Sequence, residues 1–347
     1  MAALMNGVFN TLAQSGTGKK QKAPVSVSGN GSDITTDKVK HGRAKRKTIS
    51  QSMVLGLIDL VKDKNQDSQQ YWNTYHCQGE IITSNGKSYG RYCKNRCCTL
   101  CSSIRKAKLI NNYSSVLAKW ESPYFVTLTI KAVRADRLEY MLKEGIIRAF
   151  RLITEKYRKR NQRNKSVKLM GIRSLECNFN PDKKTYNPHL HLIVPDKQTA
   201  EILIKEWLNL WTRKFTIRSA QDMQPIKDKV GSLIEIIKYG SKIFTEPDVN
   251  KKSRLKSDER QIYLAALENI FQAMKGHRIF ERFGFNLPKS DKAITKDVSL
   301  LTDYQEWKFS PQLADWINKE SGESFSGYKL TPELKKLLEY GIDTENS

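Results

Sequence analysis

The sequence lacks any long hydrophobic run, and no stretch approaches the ~20 consecutive apolar residues that a membrane-spanning helix requires. Its first residues, MAALMNGVFNTLAQSG, have no positively charged segment followed by an apolar core, as a secretory signal would. A Gly-x-x-x-x-Gly-Lys-Ser/Thr phosphate loop is also missing, which argues against an ATP-driven helicase. We therefore expect a cytoplasmic protein that has no membrane partner, and we expect any helicase activity to come from another protein.

Acidic residues are scarce relative to basic ones. The chain of 347 residues has 36 Asp and Glu against 60 Lys and Arg, giving a formal net charge of +24. Such an excess repels itself unless a polyanion is bound, so nucleic acid is the leading partner. Six cysteines in a reducing compartment favour metal binding or catalysis over disulfides.

Composition and periodicity divide the chain into five parts. The length allows one large or two ordinary domains with a proper core. The segments are a disordered basic arm (1–50), a short helix and linker (51–70), a cysteine module with a basic helix (71–120), the main domain (121–290) and a mainly helical appendage (291–347). The arm either lies along phosphates or only solubilises the chain.

The main domain has a regular order of predicted elements. Strand, helix, strand, strand, helix, strand and helix follow one another, and a turn at 180–184 joins the second and third strands as an antiparallel hairpin. A mixed α/β fold with an antiparallel sheet covered by helices on one side is the economical architecture.

A His-X-His pattern lies in the predicted strand NPHLHLIV. Side chains alternate along a strand, so His189 and His191 share one face, and Glu176 lies on the preceding strand of the hairpin. One carboxylate and two imidazoles suit Mg²⁺ or Mn²⁺ with open coordination positions. The ordinary alternative is two histidines on a solvated face and a glutamate paired with a nearby cation.

The predicted helix after these strands carries a tyrosine among charged residues. Glu235 and Tyr239 are four residues apart and share a face, Lys242 lies nearly on it, and Lys238 is adjacent to the tyrosine. Because a phenol has a pKa near 10, ammonium groups and a metal-activated phosphate would help Tyr239 to act as a nucleophile. Alternatively, Tyr239 is a core residue of an amphipathic helix.

Five cysteines cluster between residues 77 and 101. Cys98 and Cys101 form a Cys-x-x-Cys pair typical of tetrahedral zinc, and Cys77 and Cys93 are the natural further ligands. Cys97 and His76 are alternatives, and free thiols or a redox pair are the competing interpretations. The neighbouring basic residues predicted to contact DNA are Arg96, Arg105, Lys106 and Lys108.

Together these motifs resemble those of the HUH endonucleases, and more narrowly of the single-tyrosine plasmid rolling-circle replication initiators. The matching segments are FVTLTI at 125–130, RSLEC, NPHLHLIV and EIIKYGSK, in the family's order. The cysteine region RYCKNRCCTLC is similar to the segment upstream of the family's first motif. The resemblance covers roughly residues 75–285.

The resemblance implies a ferredoxin- or RRM-like domain with a central antiparallel sheet of about five strands and helices packed on it. It implies that Tyr239 nicks single-stranded DNA at a supercoiled origin through a 5′-phosphotyrosine, while Glu176, His189 and His191 hold the metal. Glu235 would serve in termination. A host helicase and a polymerase would be the protein partners.

Three alternatives remain at this stage. The first two are a single-tyrosine transposase and a mobilisation relaxase, which use the same chemistry. The third is a non-catalytic, zinc-containing nucleic-acid-binding protein in which the histidines and Tyr239 are structural. The oligomeric state and the origin sequence are not encoded in any of these patterns.

Overall fold

The computed structural model describes residues 23–28, 31–62, 68–239, 257–287, 298–332 and 335. The predicted strand, helix, strand, strand, helix, strand and helix of the main domain all occur in that order. Within these ranges, no helix is both long enough and apolar enough to cross a bilayer.

The elements, in chain order, are as follows. The first part contains β1 (Val25–Ser28), β2 (Ser32–Asp33), α1 (Asp37–Lys62), α2 (Gln69–Tyr75), β3 (Glu80–Ser84), β4 (Lys87–Gly90) and α3 (Thr99–Ala118). The second contains β5 (Tyr124–Thr129), α4 (Ala135–Tyr140), a π-helical segment (Met141–Ile147), α5 (Arg148–Gln162), β6 (Gly171–Asn180), β7 (Thr185–Val194), α6 (Lys197–Leu210), β8 (Asp222–Pro225) and α7 (Lys229–Tyr239). The last contains α8 (Ser257–Ala273), β9 (Phe280–Phe283), β10 (Val298–Leu301), β11 (Gln305–Ser310) and β12 (Asp315–Asn318).

The central sheet has five strands in the order β8-β5-β7-β6-β9, and all neighbours are antiparallel. Strands β6 and β7 form the predicted hairpin. Its turn is stabilised by Asn180, whose Oδ1 accepts a hydrogen bond from the Lys183 N–H at 2.9 Å, and it closes at Lys184 with a φ of 49°. The expectation of a mixed α/β fold around a sheet of about five antiparallel strands is confirmed.

Helices cover both faces of this sheet, so the expectation from element order that only one side is covered is wrong. On one face, Leu190, Leu192 and Val194 of β7 pack in the main core with the helices from α4 to α6. We call this the back face. On the other, front face, Ile193 joins Ile172 of β6 in a second core with α3 and α7. The helix layer on the front face could not be predicted from the order of elements in the main domain, because α3 precedes that domain in the sequence.

The predicted basic arm at 1–50 is wrong for residues 37–50, which belong to the 26-residue helix α1; residues 1–22 lie outside the described part. The helix also includes the short helix predicted at 51–62. Within its basic half, Arg43 and Lys47 are buried. Lys47 Nζ donates to the carbonyls of Tyr75 and Cys77 at 2.6 and 2.7 Å. The hydrogen-bond partners of both cations lie more than twenty residues away along the chain. Composition alone cannot reveal such partners.

The predicted helical character of the appendage at 291–347 is also wrong over its described strands. Strands β11 and β12 join β3, β4 and β2 in a second five-stranded sheet of order β12-β11-β3-β4-β2. Trp307 and Phe309 alternate with polar residues in β11 and are buried. Strand β11 pairs with β3, more than 200 residues earlier. The two ends of the described chain therefore share one small module.

Candidate functional site

Glu176, His189 and His191 lie together on the front face of the central sheet. Glu176 of β6 is the direct cross-strand partner of His189 of β7, and His191 is the partner of Ser174. The strand period of two places these four side chains on one face, with Glu176 facing both imidazoles. The hairpin register, which the sequence did not fix, brings the acid to the histidines.

The three side chains converge at short distances. Glu176 Oε2 lies 3.6 Å from His189 Nε2 and 3.5 Å from His191 Nε2. The side chains of Glu176 and His189 are 3% and 6% exposed, and that of His191 is 16% exposed. One ligand atom from each residue lies within 4.8 Å of the others. The three side chains therefore form a compact and largely buried group of possible metal ligands.

Hydrogen bonds at the far sides of both rings orient the imidazoles. His189 Nδ1 lies 2.9 Å from the Asn187 carbonyl oxygen, and since a carbonyl only accepts, Nδ1 carries the proton in this bond. In the neutral ring, the lone pair is then on Nε2, which faces Glu176. His191 Nδ1 lies 3.0 Å from Thr127 Oγ1 on β5. Such outer partners fix the ring orientation of metal-binding histidines.

Electrostatics keep His191 neutral. Burial, reinforced by the nearby His189, lowers the pKa of His191 to about 4. At neutral pH the ring is therefore unprotonated and offers a lone pair. A buried neutral imidazole next to a carboxylate is suited to receive a cation.

The donor set fits a divalent metal ion. A carboxylate and two neutral imidazoles from one sheet face leave further coordination positions for oxygen ligands. Since Mg²⁺ prefers an all-oxygen environment and imidazole favours transition metals, two nitrogen donors fit Mn²⁺ better than Mg²⁺.

Helix α7, which carries the predicted nucleophile Tyr239, packs on this same front face. Leu233, Ile236 and Ile237 are buried against the front-face core. Ile237 lines the same cavity as Ser174, the cross-strand partner of His191. The last described turn of the helix therefore borders a cavity beside the cluster.

The other predicted residues of this helix are described only in part. Glu235 occupies an exposed position one turn before Tyr239. The side chains of Lys238 and Tyr239, and the whole of Lys242, lie outside the described part of the chain.

A second cluster consists of Cys77, Cys93, Cys98 and Cys101, whose sulfurs lie within 4.8 Å of one another. Cys101 Sγ is 3.7 Å from both Cys77 Sγ and Cys93 Sγ. A tetrahedral zinc with Zn–S bonds of about 2.3 Å places its sulfurs roughly 3.8 Å apart. Backbone N–H groups of Cys93 and Lys94 donate to Cys77 Sγ and Cys101 Sγ at 3.3 and 3.2 Å. The geometry fits four thiolate ligands of one ion.

Cys97 and His76, the alternative ligands, are not in this cluster. Cys97 Sγ instead lies 3.3 Å from Thr74 Oγ1, and burial raises the pKa of its thiol to about 11. The His76 ring stacks with Trp72. Cys97 packs with residues of α1 and α2, whereas its neighbour Cys98 packs with Cys77 and Cys101.

The four residues predicted to contact DNA have different surroundings. Arg96 is half-buried and donates to the backbone carbonyls of Met274 and His277. It holds the loop after α8 to the cysteine module, so its guanidinium is engaged within the protein. Arg105 and Lys108 are exposed on α3 and Lys106 is half-buried.

Sequence reasoning missed two residues of the site. Thr127 bonds His191, and Ser174 is fully buried opposite it. The period of two along the predicted strands could have indicated both, since Ser174 precedes Glu176 by two and Thr127 lies in the strand FVTLTI. Placing the two residues opposite His191 also requires the β5–β7 and β6–β7 registers, which the sequence does not give.

The fold and these clusters define a basic α/β protein with a candidate His/His/Glu metal site and a four-cysteine knuckle. The family described as "Replication protein" matches residues 87–309. The chain belongs to this family, which confirms, at that level, the assignment made from the motifs.

Curated relatives share the name "Protein rep". The chain is 30% identical over 146 residues to one from Bacillus amyloliquefaciens, covering 40% of each chain. It is 28% identical over 226 residues to one from Staphylococcus aureus, covering 60% of this chain and 91% of that protein. A Bacillus sp. relative is 28% identical over 157 residues, 42% of this chain and 49% of its own. The chain thus aligns with less than half of the length of both Bacillus proteins. No solved structure matches the chain.

Proposed function

We propose that this protein initiates rolling-circle replication of a plasmid by nicking one strand at the origin, with Tyr239 as nucleophile. The observation that carries the proposal is the shared sheet face. Helix α7 is anchored by Ile236 and Ile237 on the face that carries Glu176, His189 and His191. A nucleophile at the end of this helix would meet a phosphate bound at the cluster.

In the proposed reaction, the Tyr239 phenol oxygen attacks the scissile phosphorus as the bond to the 3′-oxygen breaks. The phenol proton passes to solvent, the leaving 3′-oxygen takes up a proton, and the strand's 5′ end stays on the tyrosine. The free 3′-hydroxyl primes synthesis. Because the phosphodiester is exchanged for a phosphotyrosine ester, rejoining needs no ATP. Glu176, His189 and His191 would hold Mn²⁺ or Mg²⁺, which polarises the phosphate when bound.

The charged residues of α7 complete the proposal. Lys242, together with Lys238, would neutralise the charge that develops on the phosphate. Glu235, one turn before Tyr239, would activate water for the last cleavage at termination. Relaxases and many transposases with the same chemistry do not require a glutamate at this position, so Glu235 supports the role of an initiator.

The cysteine cluster would hold a structural Zn²⁺ through Cys77, Cys93, Cys98 and Cys101. Helix α3 begins at Thr99, with Cys98 as its N-terminal cap, so the knuckle fixes the start of the helix that carries Arg105 and Lys106. We propose that this module contacts origin DNA, and that a host helicase and a polymerase act after the nick.

The decisive experiment detects a covalent protein–DNA adduct. End-labelled single strands that tile the DNA flanking the coding sequence are incubated with the purified chain and Mn²⁺ or Mg²⁺. We expect a metal-dependent adduct on a small subset of strands, and mass mapping should locate it on Tyr239. Tyr239→Phe should abolish the adduct.

The matched control is Tyr140→Phe, since Tyr140 is exposed on α4, a helix of the back face. It should form the adduct at the wild-type rate. If the folded wild-type protein forms no adduct on any strand with either metal, the protein is a non-catalytic DNA-binding module and the proposal is wrong.

A further inference from the structure

A cavity of about 290 Å³ opens beside the metal cluster, between α3, β6, α7 and the segment leading into β9. Ser174 lines it and is the cross-strand partner of His191. Since Ser174 and Glu176 are two residues apart on one strand, the cavity begins about 7 Å from the cluster on the same face. The opening therefore lies within the span of one nucleotide from a phosphate bound at the cluster.

The rim of the cavity is cationic. Lys94, Arg105, Lys106 and Arg278 line it, and all but the half-buried Lys106 are exposed. Arg105 donates one of its N–H groups to the Lys94 carbonyl at 2.9 Å, and four others remain on the guanidinium. Arg278 lies 3.3 Å from Glu281 in an exposed position, where water weakens the pair. The rim is therefore suited to a phosphate.

The interior of the cavity differs from its rim. Leu109, Ile279 and Phe280 contribute apolar surface. Ser174 Oγ is fully buried and has no hydrogen-bond partner among the described residues. A buried hydroxyl without a partner is costly, and this one lines a cavity large enough for a ring system. The interior thus offers apolar side chains, one of them aromatic, and one hydrogen-bonding group.

We propose that this cavity is a nucleotide subsite for the single strand, next to the scissile phosphate. Its base stacks on Phe280, a polar edge of the base or sugar bonds Ser174 Oγ, and its phosphate lies between Arg105 and Arg278. This inference rests on the proposed function, because the strand is placed by the metal cluster. A free phosphate would need only the rim, whereas the apolar floor and the hydroxyl favour a whole nucleotide.

The test measures binding of fluorescein-labelled dT20 by anisotropy with Mn²⁺ present, and every protein carries Tyr239→Phe, so the metal can place the strand while strand cleavage does not contribute. Arg105→Ala should weaken binding about fivefold and reduce the slope of log K against log salt by about 0.7, the value for one lost phosphate contact. Lys205→Ala is the matched control, since Lys205 is exposed on α6, a helix of the back face, and does not line the cavity. It should change neither quantity appreciably.

Phe280→Leu tests the base contact, because it keeps an apolar side chain and removes the ring. We expect roughly fivefold weaker binding with an unchanged salt slope, and a thermal unfolding midpoint near that of the wild type. Ser174→Ala should weaken binding by a smaller factor without changing the slope. Equal losses for Arg105→Ala and Lys205→Ala would mean that only overall charge matters, and the subsite would be wrong.

An unchanged affinity in Phe280→Leu would equally overturn the nucleotide subsite and leave a phosphate site alone. These outcomes are independent of the adduct assay. The subsite holds if binding responds as expected even when Tyr239 forms no adduct, and it fails if binding is unaffected even when the adduct forms.

Discussion

Glu176 and His189 are direct cross-strand partners, and Glu176 Oε2 lies 3.6 Å from His189 Nε2. This pairing converts two separate sequence motifs into one site. The same Oε2 lies 3.5 Å from His191 Nε2, so a single carboxylate oxygen faces both rings. This site, the cysteine cluster and Lys47, whose Nζ donates to the Cys77 carbonyl, can each be tested directly.

Thr127→Val should weaken Mn²⁺ binding about tenfold. The substitution keeps the shape of the side chain but removes the oxygen 3.0 Å from His191 Nδ1, so the ring loses its orienting partner. Calorimetric titration with Mn²⁺ measures the effect. Thr154→Val is the control, because its hydroxyl bonds only carbonyls of its own helix on the back face, and its Mn²⁺ affinity should equal that of the wild type.

Cys93→Ser should fail to hold the proposed Zn²⁺, whereas Cys97→Ser should contain one zinc per chain. The two residues are four apart, yet only Cys93 Sγ lies in the four-sulfur cluster, while Cys97 Sγ contacts Thr74. Zinc content by elemental analysis of the purified variants distinguishes them. Zinc loss from Cys97→Ser together with retention in Cys93→Ser would contradict the assigned ligand set.

Stability should fall between pH 6.5 and about 4 because of His191. Its pKa in the folded protein is lowered to about 4, so the folded state binds fewer protons than the unfolded state in this window. The contribution is fully present above the unfolded pKa and is lost as the pH falls through the folded pKa. This contribution of His191 to the free energy of unfolding is at most about 3 kcal/mol.

Urea unfolding without added divalent metal measures this contribution. The difference in unfolding free energy between wild type and His191→Asn should shrink as the pH is lowered from neutrality to about 4. Since zinc loss affects both proteins alike, the difference isolates His191. A difference that stays constant with pH would show that protonation of this ring is not linked to folding.

Lys47→Met should reduce the free energy of unfolding by about 2 kcal/mol. The substitution retains most of the apolar stem but leaves the Cys77 carbonyl without the 2.7 Å bond from Nζ. Burial lowers the pKa of Lys47 to about 8, and the nearby cysteines partly offset this effect, so the group remains mostly protonated at neutral pH. Denaturant unfolding is the measurement.

The matched control for Lys47 is Lys38→Met in the first turn of the same helix, where the side chain is exposed. It should change the unfolding free energy by less than about 0.5 kcal/mol. Equal effects of the two substitutions would mean that the carbonyl contacts of Lys47 contribute little.

Much of the central domain could be predicted from local pattern. The hairpin of β6 and β7 follows from two apolar strands around a turn rich in Asn, Pro and Asp, and the amphipathic helices follow from their periodicity. The second sheet could not, since β11 pairs with β3 across more than 200 residues. Nor could the burial of Arg43 and Lys47, because distant carbonyl and amide oxygens satisfy them.

By itself, the sequence determined that His189 and His191 share a face, because side chains alternate along any strand, and that Cys98 and Cys101 form a Cys-x-x-Cys pair. Tertiary structure decided which acid faces the imidazoles, which cysteines join the pair and which arginine is engaged within the protein. Each of these depends on a register or a packing contact between segments distant in sequence. Local propensity carries no information about such contacts.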